Sequence, residues 1–165
     1  MITTILSDFS RVILNPKDKT YKGILNSLYK ELELKNVPYD FFDYFEFNED
    51  ILSLYVSLKD KYLINMFTTG TIQNSKEVRQ RIDPIIDNIF SAEEYGLDKQ
   101  NPESYLFIAN KLGKPTNQIL YIDDQLKNVE AAKKAGLETI HYEDYQKLAD
   151  KFRDFYLVPS LQEER

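Results

Sequence analysis

Ile5-Leu6-Ser7-Asp8-Phe9-Ser10 decides how this chain is read. An apolar run from Ile2 to Leu6, interrupted only by two threonines, stops at a carboxylate. The run predicts a buried strand over residues 2–8, with Asp8 where that strand meets solvent. In an open α/β sheet, ligands bind outside the carboxyl ends of the strands. An Asp at a strand end is by itself ordinary turn chemistry. The reading therefore depends on whether later strands bring partners to the same edge.

They do. A strand over 61–67 ends in Thr68-Thr69-Gly70-Thr71, a small polar turn. A short strand over 88–91 leads through a loop over 92–98 to Lys99. A strand over 118–122 ends in the pair Asp123-Asp124, and one over 138–141 ends at His141. Helical periodicity falls between them. Helices are expected over 21–34 with Thr20 as cap, 49–59 with Asn48 as cap, and 75–81. Others run from Pro102 to the Gly113 stop, over 129–135 before Gly136, and over 145–155. Asn15-Pro16-Lys17-Asp18 is a turn signal, and the end after Pro159 is expected to fray. Strands alternating with helices predict an α/β fold with a doubly wound parallel sheet. Residues 39–47 hold six aromatic side chains and admit two readings, a packed surface turn or short helix, or an aromatic wall over Asp8.

Composition narrows the chemistry. The chain has 165 residues, suited to one domain, with 42% hydrophobic and 29% charged residues, a globular balance. Its net charge of −6 disfavours nucleic-acid or anionic-membrane partners. No Cys is present, which excludes thiol catalysis and zinc–thiolate sites, and the single His argues against a multi-His metal site. No signal-like segment and no membrane-length apolar run is expected, so a cytoplasmic location is the default expectation.

Asp8, Asp123 and Asp124 supply hard oxygens, a set suited to Mg²⁺. Lys99 offers one positive charge among them. Thr68 offers a hydroxyl and adjacent N–H groups to an anion. A carboxylate can attack phosphorus and form an aspartyl-phosphate, so the set reads as phosphoryl transfer to water. Arg11 either touches a substrate or lies in a hinge, Asn128 supports a ligand or starts a helix, and His141 reads as an ordinary strand-end residue. Lys127, Lys133 and Lys134 read as a solvated helix face.

Four segments resemble the haloacid dehalogenase-like (HAD) hydrolase superfamily. ILSDFSRVIL is similar to its first motif, INMFTTGT to its second, IFSAEEYGLDKQNPESY to its third and ILYIDDQLKNVEAAKKAGL to its fourth. The Asp-Asp-x-x-x-Asn form resembles the branch of sugar-phosphate phosphatases and the phosphatase domain of soluble epoxide hydrolase. The resemblance implies a Rossmann-like core from 1–14 and 48–165, with a reduced helical cap over 15–47. It implies Asp8 as nucleophile, Thr68 and Lys99 as catalytic partners, and Thr69 and Ser10 against the substrate. It implies Mg²⁺ on Asp8, Asp124, Asp123 and the Ser10 carbonyl. The implied activity is hydrolysis of a small phosphorylated metabolite.

Two departures from the family pattern stand out. Ser10 takes the position where many phosphatases of the family carry a general acid–base Asp, help worth roughly 10²–10⁴-fold. The cap is short, which leaves the site open. Either the substrate covers it or a second copy of the chain completes it as a homodimer. The alternatives to a phosphatase are a phosphate-binding regulatory module and, ranked last, a dehalogenase acting at carbon.

Overall fold

The computed structural model describes residues 1–155. The chain begins with β1 (Thr4–Ser7), β2 (Leu14–Pro16), α1 (Leu25–Leu34), a 3-10 turn (Phe41–Asp43), β3 (Phe45–Phe47) and α2 (Glu49–Leu58). Next come β4 (Leu63–Thr68), α3 (Lys76–Ile82), β5 (Asn88–Ser91), α4 (Ala92–Tyr95) and α5 (Pro102–Leu112). It continues with β6 (Ile119–Asp123), α6 (Leu126–Lys134), β7 (Glu138–His141) and α7 (Tyr145–Phe155). The segment after Pro159 lies outside the described residues.

Five strands pair in parallel in the order β5-β4-β1-β6-β7, the doubly wound α/β sheet that the alternation predicts. β1 is central. Its side chains alternate between two cores, as a period of two requires. Ile5 joins Ile51, Ile64 and Leu148 on one face, while Leu6 joins Phe67, Tyr105 and Ala132 on the other. A strand covered on both faces has no solvent side, which is why residues 2–6 carry no charged side chain and only two threonines among apolar residues. The register sets Ser7 beside Met66 and Ile122, Thr68 beside Ser91, and Asp123 beside His141. The Asp8 amide then donates to the Ile122 carbonyl at 2.8 Å, extending the ladder by one residue. All the polar strand ends therefore emerge at one edge.

Side-chain caps fix several helix starts. Asn48 accepts from the Ile51 amide, Ser75 from Val78, and Asn101 from Glu103 ahead of Pro102. Gly113 closes α5 with φ 63°. Among the described residues, no helix is long and apolar enough to cross a membrane.

Four expectations need correction. The helix expected from residue 21 starts at Leu25, and its N-cap Ile24 makes no side-chain cap bond. Thr20 instead gives both its amide and its hydroxyl to Asp18 Oδ1, and Arg11 Nη2 takes the Tyr21 and Gly23 carbonyls. The helix expected from residue 129 starts at Leu126, because Asp123 Oδ1 holds the Gln125 amide and sets the first turn there. The loop expected over 92–98 contains α4, a single turn capped by Ser91 and too short for periodicity to reveal. Residues 39–47 form the 3-10 turn and β3, which pairs antiparallel with β2 where a turn is expected at Asn15-Pro16. Phe41, Phe45 and Phe47 are buried in the same core as Ile5 and Phe9. They form no wall over Asp8, for no residue of 39–47 lines the cavity there.

The burial pattern sets a contrast in stability. Ile64, fully buried in β4, should lose about 2–5 kcal/mol on Ile64→Ala through transfer and cavity costs. Val56→Ala, on the exposed side of α2, should stay within about 0.5 kcal/mol. Urea unfolding measures both, and equal losses would contradict this placement of the core.

Candidate active site

The end of β1 carries Asp8 into the sheet edge, where it is almost wholly buried. Its Oδ1 accepts from the Phe9 amide at 2.7 Å and from Lys99 Nζ at 2.6 Å. The same ammonium lies 3.1 Å from Asp123 Oδ2 and 5.3 Å from the centre of the Phe67 ring. Lys99 reaches this point from the loop between α4 and α5, whose backbone is held where the Tyr105 hydroxyl donates to the Lys99 carbonyl at 2.6 Å.

Asp123 is fully buried at the end of β6. Four donors surround it. Oδ2 takes the Tyr121 hydroxyl, Asn128 Nδ2 at 3.0 Å and Lys99, while Oδ1 takes the Gln125 amide at 2.7 Å. Asn128 is thus both a first-turn helix residue and a support for a site carboxylate. Asp124 is half-buried and lines the cavity with Asp8. Its side chain accepts from Gln125 Nε2 at 3.2 Å, and His141 Nε2 lies 2.9 Å from its carbonyl. His141 is exposed and absent from the lining.

The electrostatics follow from burial. Burial drives the Asp8 carboxyl well above the usual Asp range; Lys99 opposes this, and Asp123 and Asp124 add to it. Asp124 is raised for the same first reason. Burial pulls Lys99 down, but Asp8 and Asp123 outweigh it and hold the amine above its usual value. One ammonium faces three carboxylates whose ligand atoms lie within 4.8 Å of one another. All the donors are oxygens. An oxygen-only set with uncompensated negative charge fits a hard divalent cation such as Mg²⁺.

A cavity of about 510 Å³ opens above this cluster. Asp8, Ser10, Thr69, Lys99 and Asp124 all line it. Thr68 is fully buried, and its hydroxyl oxygen has no hydrogen-bond partner among the described residues. An unpaired buried hydroxyl costs about 1–3 kcal/mol; Thr68 stands behind Thr69 and is itself absent from the cavity lining. Lys127, Lys133 and Lys134 are exposed, as a solvated helix face requires, and Lys127 in the first turn of α6 also lines the cavity. Lys22, Asn26, Gln100 and Gln125 also line the cavity. Nothing in their spacing identifies them in the sequence. A second cavity, about 530 Å³ beside α1 and the start of α3, holds none of the clustered carboxylates.

The second polar turn is also tied to α1. Asn26 Oδ1 accepts from the Ile72 amide at 3.2 Å, and Gly70 permits the approach, since a Cβ there would lie 2.5 Å from Asn26 Cγ.

A family model for haloacid dehalogenase-like hydrolases matches residues 17–136. Glyceraldehyde 3-phosphate phosphatase of Methanocaldococcus jannaschii is 30% identical over 97 residues, 55% of this chain and 41% of that protein. Enolase-phosphatase E1 of Streptomyces avermitilis is 37% identical over 57 residues, 34% of this chain and 23% of that protein. The chain spans less than half the length of these curated relatives. A HAD family enzyme of Bacteroides thetaiotaomicron, solved with magnesium and inorganic phosphate, superposes with a TM-score of 0.65 at 15% identity. That match covers 90% of this chain and 99% of the other. An L-2-haloacid dehalogenase superposes with a TM-score of 0.61 at 15% identity, covering 84% and 83% of the two chains. At such identities the likeness is one of fold.

The Gly70 contact gives a direct test. Gly70→Ala forces Asn26 aside and breaks its bond to Ile72, with an expected loss of about 1–3 kcal/mol. Amide exchange should rise at Ile72 together with the first turn of α1. Unchanged exchange there would mean that the contact does not tie α1 to the core.

Proposed function

The chain belongs to the haloacid dehalogenase-like hydrolases, and from that premise we propose that it is a magnesium-dependent phosphatase acting on a small phosphorylated metabolite. The observation that carries this reading is the buried Asp8–Lys99 pair with Asp124 beside it at the mouth of the cavity. Both curated relatives described above are named as phosphatases, and the name of one gives a small phosphorylated metabolite, glyceraldehyde 3-phosphate.

The residues divide the work. Lys99 holds one Asp8 oxygen in place at 2.6 Å and presents positive charge where phosphoryl oxygens would lie. The Thr68 hydroxyl, otherwise unpaired, donates to another phosphoryl oxygen, with Thr69 and Ser10 facing the substrate from the lining. Asp8 attacks phosphorus as the ester P–O bond breaks, and the leaving alkoxide takes a proton from water. Water then attacks the aspartyl-phosphate, the P–O bond to Asp8 breaks, and phosphate leaves. Asp8, Asp124 and the Ser10 carbonyl would hold magnesium. Asp123, its oxygens already engaged by protein donors, would stand behind them and aim Lys99. Magnesium, when bound, supplies charge against the phosphoryl oxygens.

Residues 15–47 serve in this reading as a reduced cap, and either the substrate or a second copy of the chain covers the opening. Ser10 favours one further reading, a module that binds phosphate with little turnover, because a serine hydroxyl is too weak an acid to protonate an alkoxide. A dehalogenase shares the fold, but its chemistry at carbon needs no metal, whereas the Asp123–Asp124 pair suggests one.

Aryl phosphates leave without an acid and should be hydrolysed in the presence of Mg²⁺, with loss of activity on Asp8→Asn. A folded protein inert toward them would exclude the phosphatase reading, and chelator-insensitive halide release would replace it with the dehalogenase.

Magnesium alone should raise the melting temperature by relieving carboxylate repulsion, and Asp124→Asn should remove most of that shift. Ser10→Asp should increase turnover of alkyl phosphates by up to about 10²-fold. No gain would mean that residue 10 does not face the leaving group.

A further inference from the structure

Three basic side chains line the cavity in addition to Lys99. Arg11 comes from the turn after β1, Lys22 from the loop before α1, and Lys127 from the first turn of α6. The carboxylates in the lining are Asp8, Asp98 and Asp124, and two of these belong to the catalytic cluster. Asp98 is exposed and caps the Gln100 amide. Among the described residues, Arg11, Lys22 and Lys127 form no ion pair, so no carboxylate there neutralises them. On a chain with a net charge of −6, three unpaired cations converge on one opening.

Arg11 is the built part of this rim. Its φ of 65° lies in the left-handed region, which side-chain-bearing residues rarely adopt. Backbone strain of this kind persists where surrounding contacts enforce it, and it concentrates at ligand sites. Those contacts are present. Nη2 donates to the Gly23 carbonyl at 2.7 Å and to the Tyr21 carbonyl at 3.2 Å, which fixes the guanidinium beside Lys22. The N–H groups of Nη1 and Nε have no hydrogen-bond partner among the described residues, so each remains open as a single charged donor.

We propose that Arg11, with Lys22 and Lys127, recognises a second anionic group, so that the substrate is a phosphate monoester whose leaving group carries a carboxylate or another phosphate. This rests on the phosphatase reading and adds the substrate class to it. The phosphoryl group sits against Asp8, Lys99 and Thr68, and the second anion meets the rim. A cavity of about 510 Å³ has room for both. Carboxylate and phosphate both accept charge-assisted hydrogen bonds from arginine and lysine.

Two esters with the same carbon skeleton test this: glycerol 3-phosphate, with a neutral leaving group, and 3-phosphoglycerate, which adds a carboxylate. Calorimetry on the magnesium-loaded Asp8→Asn protein, which stops turnover, should show 3-phosphoglycerate binding at least tenfold more tightly. The gap should narrow with added salt, because the rim is exposed. Arg11→Gly suits the left-handed backbone, so the fold persists, as a thermal melt would verify. In that variant the ratio of the two affinities should collapse toward one. Lys22→Ala and Lys127→Ala should each reduce it in part. Equal binding of the two esters, binding of neither, or a preference that survives Arg11→Gly overturns the proposal. Hydrolysis of aryl phosphate by the unmodified protein reads the phosphatase function separately. Equal rates with both three-carbon esters would therefore sink the substrate class and leave the reaction standing.

Discussion

The interaction on which the site depends is a buried ammonium shared by two carboxylates. Lys99 stands between Asp8 and Asp123, all three nearly or fully out of solvent. Taking such charges from water costs several kcal/mol per ion, and attraction offsets this only with good geometry and satisfied lone pairs. The fold supplies that geometry from four directions. Tyr121 and Asn128 donate to Asp123, the Gln125 amide closes on its other oxygen, and Tyr105 holds the Lys99 backbone. These bonds explain residues that otherwise look misplaced. Tyr121 is a fully buried phenol inside a central strand, and burial with Asp123 beside it keeps its hydroxyl protonated and able to donate. α6 starts at Leu126 because Asp123 has already fixed the peptide before it.

That dependence explains which features were legible in the sequence. Strands are written in apolar runs, and a carboxylate or hydroxyl that interrupts such a run marks its end. The placement of Asp8, Thr68 and Asp123 at one sheet edge could therefore be inferred from alternation alone. Helix starts set by tertiary hydrogen bonds were not legible. Thr20 has the composition of a cap, yet its hydroxyl goes to Asp18, and the carbonyls that helix would use go to Arg11. The aromatic segment 39–47 misled for a related reason. Its period of two is confined to the three residues of β3, and its partner strand contains a proline that reads as a turn. Pro16 is tolerated because a two-stranded ribbon has edges on both sides. Lys127 is exposed as its composition suggests, and its place in the lining is not legible because it depends on where α6 begins.

The turn between β1 and β2 links the nucleophile to the rest of the cavity. The Phe9 carbonyl faces the amides of Val12, Ile13 and Leu14 at 3.3, 2.9 and 3.1 Å, and the Arg11 amide returns to the Leu14 carbonyl at 2.6 Å. So tight a reversal leaves residue 11 with a positive φ, at a cost of about 1–2 kcal/mol for a residue with a side chain. The buried side chains of Phe9, Val12, Ile13 and Leu14 pin the turn into the core from beneath. Asp8, Ser10 and Arg11 are thus three nearby points on one turn pinned into the core. No hinge lies between Asp8 and Arg11, and whatever positions one positions the other.

Ser10 sits at the midpoint of that turn, and its chemistry separates binding from turnover. Around Asp8, Lys99 is the group suited to hold an anion, and neither neighbouring carboxylate is placed as an acid over the cavity for a departing alkoxide. Asp123 has both oxygens engaged by protein donors, and Asp124 lies beside Asp8 within the same charge cluster. His141 is outside the cavity lining and its ring faces the Asp124 carbonyl. The leaving group must then depart on its own acidity or take its proton from water. An open mouth admits that water, whereas a closed cap would exclude it. In the proposed phosphatase, a reduced cap over 15–47 and the serine at position 10 are therefore compatible with each other: a site without its own acid works better when solvent can reach the leaving oxygen.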